Sequence, residues 1–209
     1  MSTTILITGT DDGVGKSWVG QALARALTAS GKRVVAIKPV DTGVSDDRPF
    51  EEDGALPEAL DLDTVLMRIE ALGAGADVVL VEGTGGLLTP LTWEWNAVDL
   101  ARALGASALV VAPDRHGTIN HTLLTLGALE LAGLPVCGVA LTPPREDDPS
   151  TGSNAQAIAR LTGIDRVISL PRRSDPAALS ADVQSRMGCT SALSADVQPI
   201  LDWVRATGP

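Results

Sequence analysis

The chain reads as one doubly wound α/β domain, a mainly parallel sheet with helices on both faces. Three observations lead there. Near-continuous apolar runs rich in β-branched residues recur along the chain, segments with helical apolar spacing separate them, and a glycine-rich turn joins the first run to the first helical segment. Strands covered on both faces carry unbroken apolar runs rather than alternation. Strand–helix alternation with short links is the pattern of a parallel sheet, with ligands beyond the carboxyl ends of its strands.

The elements follow in order. Thr3–Thr8, Arg33–Ile37, Asp77–Val81, Ala108–Ala112 and Val136–Leu141 read as strands. Trp18, Ala22, Leu23, Ala26 and Leu27 recur at three- and four-residue steps, and Gly31 ends that helix. Asp63–Leu72 and Ala97–Leu104 have similar spacing, and Ile119–Leu131 precedes a stop at Gly133. Asp41–Pro57 and Pro143–Ser153 read as loops, the first strongly acidic. Ala178–Gln184 is repeated at Ala192–Gln198, and two copies are too few for a repeat architecture. Nothing divides residues 1–209, so a single nucleotide-binding domain is expected.

Composition limits the function. The 209 residues are 44% apolar and carry a formal charge of −10, which argues against a non-specific nucleic-acid binder. Cys137 and Cys189 are too few for a disulfide framework or a four-ligand zinc site. Ile5-Leu6-Ile7 is too short for a signal core or a membrane span. A reduced, cytoplasmic setting with no membrane partner is expected.

The first strand runs into Gly9-Thr10-Asp11-Asp12-Gly13-Val14-Gly15-Lys16-Ser17 and then a helix. This is G-x-x-x-x-G-K-[ST] with one extra residue in the loop. Such glycines let successive N–H groups turn inward around an anion, and the helix adds its positive end. Lys16 would reach the terminal phosphates of a nucleotide, and Ser17 would offer its hydroxyl to Mg²⁺.

Two more strands end in polar residues. Lys38-Pro39 stops the second strand with a cation suited to charge that develops in phosphoryl transfer. Glu82 ends the third, before Gly83-Thr84-Gly85-Gly86. A carboxylate at a buried strand's end needs a cation or donors, and either Mg²⁺ or a helix cap would serve. Asp53 lies among the acidic-loop carboxylates, any of which could complete a metal shell. His116 and His121 are five apart, not the i, i+4 spacing of a helical metal pair.

Taken together, Thr8-Gly9-Thr10-Asp11, Val14-Gly15-Lys16-Ser17, Lys38-Pro39-Val40-Asp41-Thr42-Gly43, Val81-Glu82-Gly83-Thr84-Gly85-Gly86-Leu87 and Gly117-Thr118-Ile119-Asn120-His121 resemble the dethiobiotin synthetase family. The resemblance implies an ATP-dependent ligase of biotin biosynthesis. It would take 7,8-diaminopelargonic acid and CO₂ (or bicarbonate) through a phosphorylated carbamate to dethiobiotin, ADP and phosphate.

By position, the resemblance implies that Lys16 and Lys38 neutralise the transferring group, and that Ser17, Asp53 and Glu82 hold Mg²⁺. Gly13, Val14, Gly15, Trp18, Gly83, Thr84, Gly85 and Pro171 would meet the nucleotide. Thr10, Thr42 and Gly85 would lie near the diamine, with Asn120 reaching it from the partner of a homodimer. The family's adenine-reading asparagine is Leu141 here, and the segment 44–76 is shorter than the family's. Two other readings stand beside it. One is a ParA/MinD-like partitioning ATPase, whose signature lysine would stand at Asp11. The other is a paralogue that keeps the nucleotide but has lost or changed the diamine.

Overall fold

The computed structural model describes residues 2–39 and 61–170. The expectations for Thr42, Asp53, Pro171, Cys189, the acidic loop and the repeated Ala178–Gln184 segment fall outside them.

The elements alternate as β1 (Thr3–Gly9), α1 (Lys16–Ala29), β2 (Val34–Ile37), α2 (Leu62–Gly73), β3 (Val78–Glu82), α3 (Ala97–Ala103), β4 (Ser107–Pro113), α4 (Thr118–Leu131), β5 (Val136–Thr142), α5 (Asn154–Thr162) and β6 (Val167–Ser169). The six strands form one sheet in the order β2-β3-β1-β4-β5-β6. Every pairing is parallel, so the doubly wound α/β class holds. All five sequence-read strands and four sequence-read helices are present. Gly31 has φ 85°, the left-handed stop expected after α1.

Side chains of a strand point alternately to the two faces, and here both faces are apolar. Leu6 belongs to a core with Val65 and Ile69 of α2, Leu100 of α3, Leu129 of α4 and Ile158 of α5. Its neighbours Ile5 and Ile7 point to the other face, against Val19 and Leu27 of α1. Among the described residues α1 covers one face and the other four helices cover the opposite one.

β1 is central, flanked by β3 and β4. The connection from β1 runs to β2 on one side and that from β3 runs to β4 on the other, so a crevice opens beyond the carboxyl ends of β1 and β3. The glycine-rich turn lies there, beside the tip of β3.

At the other end of the sheet, Arg33 and Asp77 tie the starts of β2 and β3. Asp77 accepts the Arg33 backbone N–H at 2.8 Å and its guanidinium at 2.9 and 3.3 Å. These bonds hold the Asp77 carboxyl down at about 2. A depressed acid contributes stability above its unfolded pKa, and that contribution disappears as pH falls through the folded value. Asp77→Asn is therefore expected to be less stable than the parent at pH 6. The gap between their urea midpoints should close as pH drops from about 4 to about 2. A gap that persists unchanged at pH 2 would remove this pair from the account.

Candidate functional site

The turn between β1 and α1 is built for an anion. Gly13 and Gly15 take φ of 63° and 95°, a region that side chains with a Cβ rarely adopt. Gly15 is the N-cap of α1, no side chain caps that end, and no acidic residue lies in the first turn. The leading amides of α1 are thus left to a ligand, with the helix dipole behind them. The turn is braced from β5, where the buried Thr142 hydroxyl donates to the Val14 carbonyl at 2.8 Å.

Lys16 opens α1 and is only 6% exposed. Its Nζ donates to the Asp11 carbonyl at 3.1 Å and lies 3.8 Å from the Asp12 carboxylate. Burial lowers its pKa against the opposing pull of Asp12, Glu82 and Asp11, and the Lys38 charge lowers it further. A lysine held this way gains when a polyphosphate replaces those weak partners.

One cavity of about 310 Å³ collects the sequence-read groups: Gly13, Gly15, Lys16, Ser17, Trp18, Lys38, Glu82, Gly83, Thr84 and Gly85 line it. Lys38 follows β2 and Glu82 ends β3. The Ser17 hydroxyl donates to Glu82 Oε1 at 2.6 Å. Of the two uses open to Glu82, helix cap or metal ligand, the first is absent from its described hydrogen bonds. Paired hydroxyl and carboxylate oxygens are donors that suit a hard cation such as Mg²⁺.

A second cavity, of about 600 Å³, lies on the other flank of the phosphate loop. Residues 11–14 form one wall, Pro113 and Arg115 a second, and residues 142–148 a third. Val14 faces this side. Pockets of such size take a drug-sized ligand. Sequence reading found neither this cavity nor Thr142's link to the loop, because the partners are far apart in the chain and no local pattern joins them.

The remaining sequence-read residues lie apart. Thr10 lines neither cavity, and its hydroxyl is buried without a hydrogen-bond partner. Asn120 is exposed in the first turn of α4, also outside both cavities. Leu141 is fully buried in the sheet core, so its side chain reads no ligand.

The AAA domain family model matches residues 48–178. The ATP-dependent dethiobiotin synthetase BioD of Anaeromyxobacter dehalogenans strain 2CP-C is 40% identical, over 82% of this chain and 91% of its own. The chain belongs to the dethiobiotin synthetase family. The synthetase of Rhodococcus jostii strain RHA1 is 38% identical over 80% of this chain and 85% of its own. Among solved structures, the septum site-determining protein MinD of Pyrococcus horikoshii OT3, complexed with Mg-ADP, superposes with a TM-score of 0.58. It covers 98% of this chain and 99% of its own, at 18% identity, a likeness of fold alone. No helix among the described residues is long and apolar enough to cross a membrane.

Proposed function

We propose that this chain is a dethiobiotin synthetase, using ATP to carboxylate and close 7,8-diaminopelargonic acid to dethiobiotin, with release of ADP and phosphate. The observation that carries this is the convergence of Lys16, Ser17, Lys38 and Glu82 on one cavity. Each comes from the carboxyl-end crevice of the sheet, in a chain 40% identical to a synthetase of that name. Residues 1–209 act as one nucleotide-binding domain.

One amine of the diamine takes up CO₂ as a carbamate, and a carbamate oxygen attacks the γ-phosphorus as ADP leaves. The second amine then attacks the carbonyl carbon, phosphate departs, and the ring closes with loss of the amine protons. Phosphoryl transfer needs positioning and charge stabilisation more than covalent help. The amides at the start of α1 hold the β- and γ-phosphates. Lys16 and Lys38 meet the transferred group from the phosphate loop and from β2. The nucleoside occupies the larger cavity. Thr10, Thr42 and the Gly85 backbone would serve the diamine, and Pro171 the base.

Ser17 and Glu82 would hold Mg²⁺, with Asp53 as a third ligand, and the ion when bound supplies positive charge to the phosphates. Glu82→Gln keeps the shape and a donor–acceptor for Ser17 while removing the charge. It is expected to raise the Mg²⁺ concentration needed for half-maximal turnover about tenfold or more. An unshifted Mg²⁺ dependence would take Glu82 out of the metal shell.

A homodimer completes the site, with Asn120 of one copy serving the diamine of the other. The same helix exposes Leu124 and Leu131, apolar surface suited to a partner copy. A reduced cytoplasmic setting fits Cys137, whose burial raises the thiol to about 12 and leaves it unreactive.

The direct test incubates pure protein with ATP, Mg²⁺, bicarbonate and the diamine. Dethiobiotin is expected in equal amount with ADP. ATP hydrolysis that ignores the diamine would overturn the reading.

A further inference from the structure

The buried carboxylate of Asp114 belongs to none of the roles above. It follows β4 directly, is 2% exposed, and sits among donors from two separate parts of the chain, residues 151–154 and Ser169. Its Oδ1 accepts from Asn154 Nδ2 at 2.7 Å. Its Oδ2 accepts from the Gly152 N–H at 3.0 Å and the Ser169 hydroxyl at 3.2 Å. Its backbone joins in: the N–H donates to the Thr142 carbonyl at 2.7 Å, and the carbonyl accepts from the Thr151 hydroxyl at 2.7 Å.

A buried charge is expensive to keep unless donors surround it, and here they do. It also sits at the N-terminus of α5, whose own N-cap Ser153 makes no side-chain cap bond. A negative charge there is favourable.

These bonds bear on the larger cavity. Pro113 and Arg115, on either side of Asp114, line one of its walls, and residues 142–148 line another. Asp114 holds the wall of residues 142–148 at both ends, through its backbone bond to Thr142 and through its bonds to residues 151–154. The same loop is fixed once more at Asp148, which accepts the His116 N–H at 3.0 Å and the Ser150 N–H at 2.9 Å.

We infer that Asp114 is a positioning residue for nucleotide binding, one that holds both walls of the nucleoside cavity without touching the phosphates. The inference rests on the reading of that cavity as the nucleoside site. It separates two parts of one ligand: the phosphate loop grips the triphosphate, and the Asp114 network shapes the space for base and ribose.

The test compares MgATP with magnesium tripolyphosphate, which has the phosphates and no nucleoside, by calorimetry on the whole protein. Asp114→Asn keeps the size and loses the charge and one acceptor. It is expected to raise the Kd for ATP about tenfold while leaving that for tripolyphosphate within about twofold. KM for ATP should rise with kcat little changed. Thr151→Val removes one exposed hydroxyl from the network and tolerates folding readily. It should shift ATP affinity the same way, about threefold.

Equal weakening of both ligands would mean a merely structural carboxylate and overturn the inference. So would two variants that bind ATP as the parent does. If the parent itself binds ATP no tighter than tripolyphosphate, the nucleoside reading of the cavity fails, and Asp114's role with it. Dethiobiotin formation by the parent is scored separately and is untouched by either result.

Discussion

Lys16→Ala and Lys38→Ala are each expected to cut turnover at least about 100-fold, close to 3 kcal/mol of lost transition-state stabilisation. The two losses should differ in kind. Lys16 is buried at the head of α1, where its charge would meet phosphates in both the ground and transition states. Its removal should raise KM for ATP and lower kcat together. Lys38 is an exposed residue at the tip of β2 and lines the cavity from the opposite side. Charge that gathers on the group in flight is its natural partner, so Lys38→Ala should lower kcat with little change in ATP affinity. Arginine at position 16 should not rescue, because a planar guanidinium does not fit the space of a compact ammonium. Unchanged turnover in either alanine variant would remove that lysine from the mechanism.

The second large effect is expected at Gly85. Its φ is +64°, and a Cβ built there would lie 2.5 Å from Thr89 Oγ1 and 2.8 Å from Thr89 Cγ2. The same Oγ1 accepts the Gly86 N–H at 2.8 Å, so Thr89 cannot turn aside without losing that bond. Left-handed backbone costs a residue with a Cβ about 1–2 kcal/mol, and the broken hydrogen bond adds about 1 kcal/mol. Gly85→Ala should therefore lose about 2–3 kcal/mol of stability, or about 4–12 °C in Tm. Turnover should fall as well, since Gly83, Thr84 and Gly85 line the cavity. A double variant checks the cause. Thr89→Ala removes Oγ1 and Cγ2, the two nearest atoms, and leaves only the Thr89 Cβ at 2.9 Å, so Gly85→Ala should cost less there than in the parent background. Strict additivity would show that Thr89 is not the obstacle.

The sequence exposed those parts of the fold whose physics is local. Ile5-Leu6-Ile7 had to be a buried strand because each face of it is covered, one by α1 and one by helices of the opposite layer. Gly15-Lys16-Ser17 was legible for a similar reason, as a strand, turn and helix start within a dozen residues. α5 and β6 were not read. Asn154 and Ile158 are the buried residues of α5, too few to print a helical stripe. β6 is three residues at the sheet edge, with Ile168 and Ser169 exposed, so it makes no apolar run.

The candidate site divides in the same way. Lys16 is marked by the glycine-rich turn before it, and Lys38 and Glu82 each stand at the end of an apolar run, where a polar residue is conspicuous. Asp114 stands at the end of one too, after Val110-Val111-Ala112-Pro113. Its partners Gly152, Asn154 and Ser169 lie 38, 40 and 55 positions away, and only the folded chain brings them to it. Thr142 and Val14 are 128 apart.

A crystal structure with a magnesium complex of a non-hydrolysable ATP analogue tests the central arrangement most directly. The γ-phosphate should lie in the 310 Å³ cavity, within hydrogen-bond reach of both Lys16 and Lys38, with the base in the 600 Å³ cavity across the phosphate loop. Phosphates bound elsewhere, or the two amines turned toward different ligands, would contradict it.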